Sequence, residues 1–180
     1  MINIKILPLL ALSFIISACT GKPDGVVAVD DFILDSYLGK WYEIARLDHS
    51  FERGLDNISA EYSLKDDGGV KVINSGFSKE DNEWQQAEGK AYFVDAADTG
   101  HLKVSFFGPF YGSYVIFELD KENYQYAFVS GPNTSYLWLL ARTQKIDQKI
   151  IDHFIKRAQE SGFDTSKLIY VIHDKPAQKM

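Results

Sequence analysis

The residues that could carry out chemistry in this chain of 180 residues are few and lie far apart. Cys19 is the only cysteine, and Glu43 is a candidate general base with no adjacent residue type that would act with it. The sequence contains no nucleophile elbow, phosphate-binding loop or paired-histidine motif. We therefore expect that the protein is not an enzyme and that it binds no metal and no cofactor. The four histidines have no spacing typical of a metal site, and they are His49, His101, His153 and His173.

The N-terminal residues predict export. The apolar run Ile6–Ile16 is too short to span a bilayer as a helix, which takes about 20 apolar residues. A serine, an alanine and Cys19 follow, an order that resembles the lipobox of bacterial lipoproteins, in which the cysteine is acylated and becomes the mature N-terminus. We predict a signal peptide over residues 1–18 and a lipidated N-terminus and tether over residues 19–31. The alternatives are an ordinary signal peptide and an uncleaved anchor.

Charge and position indicate the compartment. Cleavage before Cys19 removes one charged residue, Lys5, and takes the formal net charge from -6 to -7. The remaining charges are interspersed without a basic stripe, which argues against a nucleic-acid partner and against purely electrostatic membrane attachment. By analogy with bacterial lipoproteins, an aspartate directly after the lipidated cysteine resembles a signal for retention in the inner membrane. This chain has Thr20 at that position, which indicates the outer membrane, with the domain facing the periplasm.

From Trp41 onward, short runs of β-forming residues alternate with turn residues. The segment Lys65–Gly69, which joins the second run to the third, is a strong hairpin signal. Eight strands with short links predict an all-β fold, an antiparallel up-and-down barrel wide enough for one small ligand. The predicted strands are Trp41–Leu47, Ile58–Leu64, Val70–Phe77, Trp84–Val94, His101–Phe107, Ser113–Leu119, Tyr124–Ser130 and Tyr136–Arg142.

One segment near the C-terminus has a different period. Apolar residues recur at helical spacing over Ile146–Ala158, with Asp147 as a candidate N-cap and Gly162 as a candidate C-cap residue. We predict that the apolar face of this helix packs on the outside of the barrel. A short final strand is predicted over Lys167–Ile172, and the barrel domain over residues 32–180.

Three motifs resemble those of the lipocalin family. The segment Gly39–Arg46 contains a Gly-X-Trp signature around Trp41, and Arg142 at the end of the eighth strand matches the third family motif. The segment Gly131–Tyr136 occupies the second motif, in which Ser135 replaces the usual aspartate. The order of eight strands, helix and final strand also fits the family. The resemblance implies a lipocalin barrel with a cavity for a small hydrophobic molecule.

A barrel that holds an apolar molecule must be closed at one end. Trp41 can supply a large flat plug, and Arg142 can lay its guanidinium on the indole, a contact worth about 0.5 to 2 kcal/mol. The other guanidinium donors can satisfy carbonyls of the N-terminal segment. We therefore assign Trp41 and Arg142 to barrel closure rather than to ligand contact.

Alternation along the strands and the family pattern together predict the inner wall. Glu43 and Gln85 are candidates to orient a ligand head group, although they could instead satisfy one another or a buried water. The whole set could also fill the barrel as a dry core. The other residues predicted to face inward are Ala45, Ala60, Tyr62, Val72, Asn74, Ala87, Val104, Phe106, Val115, Phe117, Val129, Tyr136, Trp138 and Leu140.

The loops at the open end contain apolar residues that we expect to be exposed, namely Phe51, Phe110 and Tyr111. Such a rim could receive lipid, touch a membrane or form a homodimer, unless the loop folds back as a lid. The leading hypothesis is a carrier of fatty acids, palmitate for example, or of lysophospholipids. The alternatives are a carrier of a tetrapyrrole or sterol-like molecule, and an envelope adaptor that binds no ligand.

Overall fold

The structure is a computed structural model and describes residues 20–176. The predicted signal peptide and the predicted lipidation of Cys19 lie outside the described residues. The strands are β1 (Gly39–Arg46), β2 (Leu55–Leu64), β3 (Val70–Ser78), β4 (Glu83–Phe93), β5 (His101–Ser105), β6 (Gly112–Leu119), β7 (Tyr126–Ser130), β8 (Leu137–Ala141) and β9 (Ile169–Tyr170). The helices are α1 (Leu34–Tyr37) and α2 (Gln148–Glu160), and a single 3-10 turn covers Thr165–Lys167.

The first eight strands form a closed antiparallel barrel. Consecutive strands pair from β1 to β8, and β1 also pairs with β8, so the barrel has no free edge. The two-residue strand β9 adds to β1 through Ala45 and Arg46. This topology confirms the predicted barrel. Four strands are shorter than predicted: β5 ends at Ser105, β7 begins at Tyr126, β8 covers only Leu137–Ala141, and β9 pairs with β1 for only two residues.

The helix α2 lies outside the barrel, as predicted. It begins after Asp147, whose carboxylate accepts a hydrogen bond of 2.9 Å from the Lys149 amide, and ends before Gly162, which has a φ of 86°. Its buried residues, Phe154 and Ala158, belong to a cluster between the helix and the barrel. Within residues 20–176, no helix is long and apolar enough to cross a membrane.

The wall of the barrel therefore packs on both of its faces, inward in the barrel interior and outward against α2. Three side chains that were predicted to point inward lie on the outward face. Ala45, Val115 and Phe117 lie in the outer cluster under α2, not inside the barrel. For Ala45 the cause is a bulge in β1, where Glu43 pairs with Leu140 but Ala45 pairs with Leu139. The extra residue reverses the alternation, so that Glu43 faces the interior and Ala45 faces the helix.

The error at β6 has a different cause. Both faces of β6 are apolar, because one lies inside the barrel and the other lies under α2, so no polar alternation marks which residues point inward. Tyr114 and Ile116 are the residues that pack in the interior cluster. Val115 and Phe117 occupy the alternate positions on the opposite face.

Part of the N-terminal segment predicted as a tether packs against the outside of the barrel. The structure packs it against the barrel from Gly25 onward, where a Cβ would lie 2.9 Å from the backbone of Ser161. Val26 is fully buried in the outer cluster, and the Val29 amide donates to the Ile116 carbonyl at 2.9 Å. Phe32 then reaches the interior cluster at the closed end.

Candidate ligand-binding cavity

The closed end of the barrel is built around Trp41. Its indole is fully buried, and the guanidinium carbon of Arg142 lies 3.9 Å from the ring centroid. The indole Nε1 donates to the Tyr37 carbonyl at 2.7 Å, and the Tyr37 ring lies 4.7 Å from the Trp41 ring on the cavity side. These three side chains form a floor with its polar atoms paired.

Arg142 fastens three segments to this floor. Its Nη1 donates to the Lys40 carbonyl at 2.9 Å, its Nη2 to the Ser36 carbonyl at 2.7 Å, and its Nε to the Tyr124 carbonyl at 3.2 Å. The acceptors belong to β1, α1 and the loop between β6 and β7. Because every guanidinium nitrogen has a neutral acceptor, the arginine carries its charge without a carboxylate partner.

Three tyrosine hydroxyls meet just above the floor, and we call them the tyrosine cluster. The Tyr114 hydroxyl lies 2.7 Å from the Tyr37 hydroxyl and 2.9 Å from the Tyr62 hydroxyl. Tyr37 and Tyr62 are buried, and Tyr114 is partly exposed. Burial raises the pKa of all three phenols, so each hydroxyl keeps its proton at physiological pH.

A cavity of about 500 Å³ lies above the tyrosine cluster, within the size range of small-molecule sites. Glu43 and the rim residues Phe51 and Phe110 also line it. Val129 is fully buried in the interior cluster but does not line the cavity. Of the other residues predicted to face inward, those that line the cavity are Ala60, Tyr62, Val72, Asn74, Gln85, Ala87, Val104, Phe106, Tyr136, Trp138 and Leu140.

Several lining residues were missed by sequence reasoning, among them Phe32, Tyr37, Glu52, Leu102 and Tyr114. Leu102 lies two residues before Val104 on β5, so both side chains face the same side of the strand. Extending the alternation by one step from Val104 predicts that Leu102 faces inward. Phe32 and Tyr37 come from the N-terminal segment, which carries no strand pattern. Glu52 lies in a loop, and no spacing in the sequence connects it with β1.

A buried charged group, which we call the mouth cluster, lies on the opposite side from the floor and consists of Glu43, Arg46 and Glu52. Arg46 Nε lies 3.0 Å from Glu43 Oε1 and 3.7 Å from Glu52 Oε2, and all three side chains are less than 10% exposed. Arg46 Nη2 donates to the Glu52 carbonyl at 3.1 Å, and Trp138 Nε1 donates to Glu52 Oε2 at 3.3 Å. Glu43, a predicted head-group candidate, thus faces an internal cation.

Burial shifts the pKa values of the carboxyls in the mouth cluster upward. Burial raises the pKa of Glu43 well above its ordinary value, and the nearby Glu52 carboxyl raises it further against the opposing effect of Arg46. Burial also raises the pKa of Glu52 to about 7. The raised pKa values and the guanidinium of Arg46 both reduce the negative charge of the two carboxyls, so this wall of the cavity is polar with little net charge.

His49 adds a neutral aromatic surface beside the mouth cluster. Its ring stacks 5.3 Å from Phe51 and 5.0 Å from Tyr136. Burial and the neighbouring Arg46 lower the pKa of His49 to about 4, so the imidazole is uncharged at neutral pH. The histidine therefore extends the aromatic rim rather than adding a charge to it.

The rim of the cavity exposes large apolar side chains. Phe51, Phe107 and Phe110 are 58%, 79% and 73% exposed, and all three line the cavity opening. Tyr111, also predicted at the rim, does not line the cavity; its ring lies 6.4 Å from Tyr92, on the outer surface. The phenylalanines make the entrance continuous with the apolar wall.

The family model for lipocalin-like domains matches residues 30–173. The chain is 61% identical over 163 residues to the outer membrane lipoprotein Blc of Vibrio cholerae, which covers 91% of this chain and 95% of the relative. It is 49% identical over 172 residues to the protein of the same name in Escherichia coli, which covers 93% and 97%. Temperature-induced lipocalin-1 of Arabidopsis thaliana is 34% identical over 145 residues, or 75% and 76% of the two chains.

Solved structures of lower identity share the fold. Insecticyanin from the tobacco hornworm Manduca sexta is 21% identical, with a TM-score of 0.62 over 84% of each chain. A lobster apocrustacyanin is 18% identical, with a TM-score of 0.63 over 85% of this chain and 93% of its own. The family model, the relatives and the closed barrel with its outer helix agree: this chain belongs to the lipocalin family.

Proposed function

We propose that this protein is a membrane-anchored lipocalin of the cell envelope that binds, stores or transports one long acyl chain, as a fatty acid such as palmitate or as a lysophospholipid. The observation that supports this most is the cavity of about 500 Å³ with a largely apolar wall and a phenylalanine rim. Burial of each methylene is worth about 0.8 kcal/mol, so a long chain can reach micromolar affinity after the costs of association.

The internal pairing in the mouth cluster supports binding rather than catalysis. Glu43 and Glu52 both face Arg46, and Trp138 donates to Glu52, so both carboxyls have partners within the protein rather than being directed at a bound molecule. The apolar cavity and the polar wall together suit a molecule with a long tail and a small polar head. No chemical change in that molecule is required.

Binding is tested by native mass spectrometry of the delipidated mature protein titrated with palmitate and with lysophosphatidylcholine. Replacing Ala60 by Trp should fill part of the cavity and abolish the bound mass. Ser63→Trp is the matched control, because Ser63 lies on the same strand with an exposed side chain. Absence of a bound lipid for the wild-type protein, or equal binding by Ala60→Trp, would contradict the proposal.

The same titration separates the alternatives. Saturation by a tetrapyrrole or a sterol, but not by acyl chains, would identify another class of ligand. Binding of none of these, with retention of a partner protein, would indicate an adaptor. The mass of the complex also reports whether two copies associate, as expected if the exposed rim forms a homodimer.

Attachment to the outer membrane is supported by the name of the Vibrio cholerae relative, an outer membrane lipoprotein, and by the lone Cys19 after a short apolar run. Replacing Cys19 by Ala should release the protein from membranes or leave it unprocessed. Fractionation of the envelope, with Thr20→Ser as a control that retains the cysteine, checks this. An Ala variant that is still cleaved and sediments with the outer membrane would refute lipid anchoring at this residue.

A further inference from the structure

The tyrosine cluster has one hydrogen-bond donor too many. Three hydroxyls carry three protons, and the cluster contains two hydrogen bonds, one from Tyr114 to each neighbour. Whichever way the two bonds point, one proton has no acceptor within the cluster. A donor left without an acceptor in an apolar site weakens whatever state buries it.

Neighbouring groups do not take up this proton. The Trp41 Nε1 already donates to the Tyr37 carbonyl, and each nitrogen of Arg142 donates to a backbone carbonyl. These groups are donors, so they cannot accept. Within residues 20–176 these hydroxyls bond only one another, and all three tyrosines line the cavity, so the spare proton is available to a molecule bound there.

The position of the cluster decides which part of a ligand would meet it. Tyr37 packs on Trp41 at the closed end, and Tyr62 pairs with Gly39 at the start of β1. The rim and the mouth cluster are at the other end, where a polar head group would stay. The atoms that reach the tyrosine cluster are then those at the far end of the acyl chain.

We propose that the tyrosine cluster is a subsite for a neutral oxygen at the far end of the bound chain, so that the cavity prefers ω-oxygenated acyl chains to unsubstituted chains of the same length. A terminal hydroxyl or carbonyl oxygen accepts the spare proton, whereas a terminal methyl group covers it. The oxygen is neutral because Arg142 does not line the cavity, so no guanidinium faces this end of the cavity to pair with a carboxylate. This inference rests on the proposed binding of acyl chains.

The test compares ω-hydroxy fatty acids with their parents, from dodecanoic to octadecanoic acid, by titration of the delipidated mature protein. We expect the wild-type protein to favour the hydroxy acid of best-fitting length by about tenfold, the effect of one satisfied buried donor. The variant Tyr37→Phe, Tyr62→Phe, Tyr114→Phe keeps the rings and removes all the hydroxyls, and it should lose this preference. Tyr92→Phe is the matched control, since the Tyr92 hydroxyl bonds Asp67 on the outer surface.

A second measurement needs no variant. In the wild-type protein, a hydroxyl in the middle of the chain should weaken binding, because it would face the apolar wall rather than the tyrosine cluster. Equal affinities for parent, mid-chain and terminal hydroxy acids would overturn the subsite, while binding of the parent acids would still support the proposed function. Failure of every acid to bind would overturn both. A preference that survives in the triple variant would also refute the assignment.

Discussion

The two ends of the barrel use an arginine in opposite ways. At the floor, Arg142 lies on Trp41 and donates from all three nitrogens to backbone carbonyls. At the mouth, Arg46 faces two buried carboxyls, and its Nε lies 3.0 Å from Glu43 Oε1 without the angles of a hydrogen bond. The floor has neutral acceptors in good geometry, and the mouth has charged partners in poorer geometry.

This difference shows that burial and the type of partner determine whether a buried arginine contributes mainly to stability or to a response to pH. A cation surrounded by carbonyls keeps its charge over a wide pH range and fixes the segments that supply them. A cation that shares two desolvated carboxyls leaves one of them to hold a proton, so its surroundings change charge near neutral pH. The floor therefore contributes mainly to stability, and the mouth responds to pH.

The largest effect is expected from breaking the floor. Trp41→Ala and Arg142→Ala should each lower the free energy of unfolding by about 2 to 5 kcal/mol, through a cavity in one case and unpaired carbonyls in the other. Urea denaturation of both single variants and the double variant gives the coupling energy. Additive losses would mean that the stacking contact contributes nothing to stability.

The pH response of the mouth is the next largest. Because the folded-state pKa of Glu52 is raised from 4.5 to about 7, its contribution to stability is fully present below about pH 4.5 and is lost as the pH rises through 7. Relative to Glu52→Gln, the wild-type protein should lose about 3 kcal/mol across this window. Thermal melts of both proteins from pH 4 to pH 8 measure the difference.

The comparison with Glu52→Gln also separates the pH dependence due to the Glu52 carboxyl from that due to His49. The lowered pKa of His49 gives a contribution that is present above about pH 6.5 and lost as the pH falls through about 4, the opposite slope. Both proteins retain His49, so its contribution cancels in the difference. The same pH dependence of stability in both proteins would show that the folded-state pKa of Glu52 is not raised.

Removing the two arginines sharpens the contrast. Arg46→Leu should cost less stability at pH 5 than at pH 8, because the mouth carboxyls can take up protons when their cation is lost. Arg142→Leu should cost the same at both values, since its acceptors are carbonyls. Chemical denaturation at the two pH values measures this, and an equal pH dependence for both variants would contradict the distinction.

The smallest effect on stability is expected at the rim. Replacing Phe107 and Phe110 by Ser should change the unfolding free energy by less than about 0.5 kcal/mol, because both side chains are largely exposed. Uptake of a fluorescent fatty acid from vesicles should slow, because the chain loses its apolar entrance. Stopped-flow transfer measures the rate, and Tyr111→Ser is the control on the outer surface. A large loss of stability with unchanged transfer would show that the loop is a packed lid.

Features with local signals were predictable from the sequence. The strand order, the cap at Asp147 and the placement of Trp41 with Arg142 at one end all follow from periodicity, capping chemistry and motif position. The outward direction of Ala45 was not, because a single bulged residue reverses a strand without changing its composition. Ligand contacts of the lining residues remain predictions.

The polar groups of the cavity were the least predictable. The tyrosine cluster joins α1, β2 and β6, and the mouth cluster joins β1 to the loop that follows it. The first cluster joins residues far apart in the chain, which leave no spacing in the sequence, and the second depends on the path of a loop. Strict alternation would even have placed Glu43 and Arg46 on opposite faces, so their pairing depends on the same bulge.

If Cys19 is lipidated, as proposed, the N-terminal segment limits how far the barrel can lie from the membrane. Traced from Phe32 at the floor toward the N-terminus, the chain passes Ile116 in the middle of β6. It then reaches Gly25, which lies beside Ser161, the residue that follows the last residue of α2. Gly25 lies six positions after Cys19, a reach of at most about 22 Å when fully extended. A lipid on that cysteine would keep the barrel within about one domain diameter of the leaflet, attached from its flank and not from its floor.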